Sequence, residues 1–174
     1  MKPIEHIPLN TNHEHALASF LSDFDAHGEA NIPAYFAPRE WTHQRIVDTF
    51  DGWTRGEGLK DNWTPCFTRF AVDSGAILGV YNIRHLNNAH LDRSLSHVGY
   101  SVRPSARGRG IATAMLADAQ QFAYEHQLAH LILTCDQANP ASRRVIEHRG
   151  GVLLEHYPEN GRITLRFQVP TQPI

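Results

Sequence analysis

Cysteine is nearly absent: Cys66 and Cys135 are the only two in 174 residues. Two are too few for a disulfide scaffold, and in a reducing compartment both are expected to be thiols. Long apolar runs are missing as well. No stretch approaches the roughly 18 residues needed to span a bilayer, and Met1-Lys2-Pro3-Ile4-Glu5 has no signal-peptide core, so the expected setting is the cytoplasm, with no membrane partner. Charge of one sign is lacking too. A formal net charge of −2, with acids and bases dispersed, offers no electrostatic footprint for nucleic acid or anionic lipid. Histidine is frequent at 12, yet pairs such as His13/His15 and His126/His130 lack the cysteines or supporting pattern of a metal site, so no metal is expected. Repeats, low-complexity tracts and linkers are absent, which leaves one domain over 1–174 as the expectation.

What is present reads as alternating helices and strands. Ile4 to Leu9 suggests a short edge strand between prolines. Ala16, Leu17, Phe20, Leu21 and Phe24 recur at three- and four-residue steps, which predicts a helix over 11–26. A second helix is expected to start at Pro38 and to carry Trp41, Ile46, Val47 and Phe50 as far as Gly52 or Gly56. Two β-rich runs, 66–72 and 76–83, flank Asp73-Ser74-Gly75, the composition of a tight hairpin turn. A third run, 96–102, stops at Pro104. From Gly110 the stripe Ile111, Met115, Leu116, Ala119, Phe122 and Ala123 predicts a helix to about His126, followed by a strand over 128–134. Asn139-Pro140 opens another helix that Gly150-Gly151 closes, and the runs around Asn160-Gly161 form a last hairpin. Together these make an α/β protein, a mixed sheet with helices against it.

The segment Arg107-Gly108-Arg109-Gly110-Ile111-Ala112 lies between a strand and a helix. That position presents a row of backbone N–H groups at the helix start, where the helix dipole adds positive potential. Glycines at 108 and 110 let phosphate oxygens approach the backbone, so a pyrophosphate fits the arrangement. A plain sharp turn with solvated arginines is the alternative. No Gly-Lys-Ser/Thr ending is present and the three-glycine dinucleotide spacing fails, which excludes the common nucleotide loops.

At this point the chain resembles the GNAT N-acetyltransferases, whose pyrophosphate signature Gln/Arg-x-x-Gly-x-Gly/Ala is matched by Arg107, Gly110 and Ala112. Val102-Arg103-Pro104, the following helix, the strand through Leu133 and Asn139-x-x-Ser142 fall in the family's order. The stretches Arg84-His85-Leu86-Asn87, His97-Val98-Gly99-Tyr100 and Thr134-Cys135-Asp136 look like one bacterial branch. The resemblance covers about 76–167.

That resemblance implies a mostly antiparallel mixed sheet of six to seven strands flanked by four helices, with a V-shaped splay between its central strands. It implies acetyl-CoA as co-substrate. Arg107, Gly108, Arg109, Gly110, Ile111, Ala112 and Thr113 would hold the pyrophosphate, and Tyr100 and Val102 would pair with the pantetheine arm as a strand would. Asn139 and Ser142 would sit beside that arm, although Asn139 reads equally well as a plain helix cap. The family's reaction is direct attack of an amine on the thioester, often with a carboxylate base ahead of the signature and a tyrosine acid in the helix after Asn139. Neither is present here, since Ile146 stands at the tyrosine's place. His97 is the candidate base, with Tyr100 among the candidate acids. Arg84 and His85 are candidates for a substrate carboxylate, with a surface strand end as the plainer alternative.

The expected activity is acetyl transfer from acetyl-CoA to the primary amine of a small or amino-acid-like molecule, by a monomer or homodimer. A protein N-terminus or lysine as acceptor, and a non-catalytic acyl-CoA-binding sensor, are the competing expectations.

Overall fold

The computed structural model describes residues 4–29, 32–61, 63–84 and 96–171. They form seven strands and four α-helices: β1 (Glu5–Ile7), α1 (Glu14–Ala26), α2 (His43–Arg55), β2 (Cys66–Asp73), β3 (Ala76–Arg84), β4 (Val98–Val102), α3 (Ile111–Glu125), β5 (His130–Asp136), α4 (Pro140–His148), β6 (Val152–Glu159) and β7 (Arg162–Pro170). The strands hydrogen-bond as two sheets, β1-β2-β3-β4 and β5-β7-β6.

Two compact units result, one of residues 4–84 with 99–115 and one of 96–98 with 116–171. In the first, α1 buries Leu17, Phe20 and Phe24, the stripe its spacing predicts, in a core shared with Phe50, Trp53 and Phe70. The β2–β3 hairpin turns through Ser74 (φ 51°) and Gly75 (φ 82°), the left-handed pair of a two-residue turn whose twist suits the strands. Gly79 on β3 admits a close approach. A Cβ there would lie 2.8 Å from Met115 Sδ on α3 and 3.0 Å from the Ser101 carbonyl oxygen on β4.

Helix α2 departs from expectation. Pro38 instead closes a turn by accepting from the Trp41 N–H (3.2 Å). The helix begins at His43, because Thr42 is its N-cap and accepts from the Arg45 N–H at 3.3 Å. Gly56, at φ 82°, ends it.

In the second unit β7 pairs antiparallel with both β5 and β6, and Leu131↔Val169, Leu133↔Phe167 and Cys135↔Leu165 form one buried face. Gln120 of α3, fully buried, donates to the carbonyls of Arg149 (3.0 Å) and Pro170 (2.7 Å) and accepts from Arg149 Nε (2.7 Å). All three of its hydrogen bonds are made inside the protein, which removes the cost of burying an amide.

Candidate functional site

β4 ends at Val102, a 3-10 turn covers Pro104–Ala106, and α3 starts at Ile111. Between them Gly108 and Gly110 hold φ of 75° and 79°, with nothing within 4 Å of where a Cβ would stand. Both glycines serve here for conformation and for open space. The Arg107 N–H bonds to the Pro104 carbonyl at 3.2 Å, and the first bond of α3 runs from Ala114 N–H to the Gly110 carbonyl at 3.0 Å. Among the described residues, the N–H groups of 108–113 have no acceptor. Of the amides over 107–112, that of Arg107 is engaged within the turn.

The Arg107 side chain is also engaged. Its Nη1 and Nη2 donate to Glu29 Oε1 and Oε2 at 2.7 and 2.6 Å, its Nε donates to the Val102 carbonyl at 3.2 Å, and its guanidinium lies 5.8 Å from the Phe24 ring centroid. The arginine of the signature thus acts as a brace. Its hydrogen bonds hold the Glu29 carboxyl below the usual range, outweighing burial. Both partners are more than a third exposed, so solvent screening limits the pair to at most about 1 kcal/mol.

A drier brace lies alongside. Asp23 Oδ2 accepts from the Ser105 N–H at 3.0 Å and from Arg103 Nε at 3.4 Å. Arg103 also donates to the carbonyls of Ile77 (3.3 Å) and Ser19 (3.4 Å). Burial raises the Asp23 pKa, but the Ser105 N–H and the Arg103 cation together lower it below the ordinary value. α1 and β3 thereby fix the turn that leads into the cradle.

His97, the candidate base, is bonded to β5. It is 5% exposed. Its N–H donates to the Ile132 carbonyl at 2.8 Å, and its Nδ1 accepts from the Ile132 N–H at 2.6 Å. A ring nitrogen that accepts from an amide carries no proton, and in the neutral ring the proton then sits on Nε2. No lone pair is left with which to take a proton from an amine while this bracket stands. His97→Ala is expected to leave the acidic limb of the pH–rate profile unmoved. It should lower stability by about 2 kcal/mol, because a buried amide loses its acceptor. Rate profiles and denaturant unfolding check both halves.

The remaining candidates are placed as follows. Tyr100 is half-buried on β4, one residue from Gly99. Asn139 is the N-cap of α4, its Oδ1 accepting from Ser142 N–H at 3.0 Å, so the cap reading holds for that oxygen. Burial pushes the Cys135 thiol up, and the Arg143 cation and the Ser142 side chain only partly offset this, which keeps the thiol protonated and unreactive. Arg84 is the cross-strand partner of Cys66 at the end of β3, and desolvation lowers its pKa. His85 lies outside the described residues. Among the described residues, no group of three metal-ligating side chains is assembled, and no helix is long and apolar enough to cross a membrane.

A sequence profile of the family described as Acetyltransferase (GNAT) domain matches residues 7–152. No curated protein matches the sequence. Among solved structures, the ribosomal-protein-S5-alanine acetyltransferase of Vibrio fischeri shares the fold at TM-score 0.69 and 14% identity, over 98% of this chain and 94% of that one. A spermidine N-acetyltransferase chimera from Vibrio cholerae does so at 0.62 and 14%, over 97% and 95%. A Salmonella typhimurium protein solved with acetyl-CoA as its cofactor gives 0.65 and 13%, over 97% and 94%.

Proposed function

We propose that this chain, which belongs to the GNAT acetyltransferase family, is a single-domain N-acetyltransferase that moves the acetyl group of acetyl-CoA directly to the primary amine of a small or amino-acid-like molecule. One observation carries the reading: the exposed, left-handed glycines Gly108 and Gly110 stand at the start of α3, beside amides that have no acceptor among the described residues. Such a row suits an anion with several oxygens, and the pyrophosphate of coenzyme A is one.

When bound, acetyl-CoA supplies an acetyl thioester. The residues of this chain do the rest. Amides of Gly108, Arg109, Gly110, Ile111, Ala112 and Thr113 hold the pyrophosphate, and the α3 dipole adds to their potential. Tyr100 and Val102 offer backbone groups of β4 to the pantetheine arm. As the new C–N bond forms and the C–S bond breaks, the amine must lose a proton and the sulfur gain one. Tyr100 Oη is the side chain we assign to the second transfer. His97 is not assigned the first, for the geometric reason above. The amine therefore reaches the site already neutral, or gives its proton to water.

Cys66 and Cys135 are both buried free thiols, as suits a protein of the cytoplasm. The test is thiol release from acetyl-CoA with a panel of small primary amines. Turnover with at least one supports the reading. Tight acetyl-CoA binding with no turnover for any amine, or for any peptide N-terminus or lysine, would make the protein an acyl-CoA sensor.

A further inference from the structure

β4 is an edge strand of one sheet and β5 of the other. An edge strand offers unpaired N–H and C=O groups to any strand that comes beside it. Inside the second unit, the chain about to enter β4 meets the β5 edge and makes one backbone bond with it, from the His97 N–H to the Ile132 carbonyl at 2.8 Å. A parallel ladder would continue from there with an amide-to-carbonyl bond at every second residue. Side chains stand in its place.

The two β5 amides that flank this bond both go to side-chain atoms. The Ile132 N–H donates to His97 Nδ1 at 2.6 Å, and the Thr134 N–H donates to Ser96 Oγ at 3.4 Å. Being two residues apart, Ile132 and Thr134 direct their amides from the same edge of β5. Ser96 Oγ carries one proton, and its shortest bond is to the Val98 carbonyl at 2.8 Å. One hydroxyl thus serves an amide of β5 and the first carbonyl of β4 together. His97 is 5% exposed and Ile132 7%, so an Ile132 amide deprived of its acceptor would find little water to replace it.

We propose that His97 and Ser96 are positioning residues: they end the pairing of β5 at residue 97 and so keep the β4 edge open for the pantetheine arm of acetyl-CoA. This deepens the reading above, in which that arm pairs with β4 at Tyr100 and Val102, and rests on it. Without the two side chains, the Ile132 and Thr134 amides would draw on carbonyls of the chain beyond His97. The β4 edge would then be spent on β5. The task needs an acceptor atom at one place and no proton transfer, which fits a ring whose Nδ1 is already committed. Asparagine meets the same need, since its Oδ1, like Nδ1 of histidine, is bonded to Cγ.

His97→Leu, His97→Asn and Ser96→Ala test the proposal by calorimetric titration with two ligands. Acetyl-CoA carries the arm, whereas ADP carries a pyrophosphate without it. His97→Leu should weaken acetyl-CoA at least about tenfold and Ser96→Ala about threefold, while His97→Asn stays within about threefold of the wild type. ADP should bind all four proteins alike, a result that general damage to the fold would not give. Melting curves identify the variants that fold, and Ser96→Ala, which removes one hydroxyl, carries the test if His97→Leu does not.

Unchanged acetyl-CoA affinity in the folded Leu and Ala variants would overturn the proposal and leave the acetyltransferase reading intact. An equal loss for ADP, or an Asn variant no better than Leu, would overturn it as well. Weakened acetyl-CoA in a protein whose wild type acetylates no amine would support the positioning role while the transferase reading fails. Wild type that binds no acetyl-CoA defeats both.

Discussion

Replacing Gly110 by glutamate is expected to weaken acetyl-CoA binding about a hundredfold while the protein stays folded. Space is not the obstacle, since nothing lies within 4 Å of the new Cβ. The backbone at φ 79° costs a non-glycine residue about 1–2 kcal/mol, which a 174-residue protein can bear. A carboxylate ahead of α3 also complements the helix dipole, which offsets some of that cost. The damage falls on the anion. A carboxylate about 4 Å from a phosphate charge costs between about 1 kcal/mol in water and about 4 kcal/mol at a protein surface, and each 1.4 kcal/mol is tenfold in affinity. Gly110→Ala brings the backbone strain without the charge and should cost only a few-fold. Calorimetric titration of the pair separates the two effects. Equal affinities for wild type and the glutamate variant would remove the cradle from the account.

Asp23→Ala should be the most destabilising single change around the site, by about 2–3 kcal/mol, or roughly 5–10 °C in melting temperature. The variant removes the acceptor of the Ser105 N–H and leaves Arg103, only 15% exposed at its side chain, without its carboxylate. The pH dependence follows from the same contacts. In the folded protein the carboxyls of Asp23 and Glu29 are held below their ordinary values. A carboxyl lowered on folding contributes stability that is present above its unfolded pKa, about 3.9–4.3, and lost as pH falls through the lower folded value. Melting temperatures of wild type and Asp23→Ala should thus converge below about pH 4. A constant gap down to pH 2 would show that charge is not the source of the effect.

The elements that could be read from sequence were those set by local rules. The apolar stripe of α1, the Ser74-Gly75 and Asn160-Gly161 turns, and the Asn139-Pro140 opening of α4 are all found in place. Local rules also produced the misplaced start of α2. Pro38 suits a first helical turn, but Thr42 caps better, and the choice between them depended on a turn that Pro38 closes with Trp41. The site was legible only as backbone. Glycine spacing locates the proposed cradle, whereas the ion pairs beside it join Asp23 to Arg103 and Glu29 to Arg107 across some 80 residues and leave no trace in spacing. His97 read as a base because a histidine is titratable. Its bond to Ile132, 35 residues away, is what commits the ring.

The central claim is that backbone amides at the start of α3 hold the cofactor by its pyrophosphate, and a comparison of two thioesters tests it most directly. Calorimetric titration with acetyl-CoA should give a dissociation constant of about 1–100 μM, and S-acetylpantetheine, which keeps the thioester and arm but lacks the pyrophosphate, should bind at least about a hundredfold more weakly. Equal affinity for the two, or no binding of acetyl-CoA at all, would contradict it.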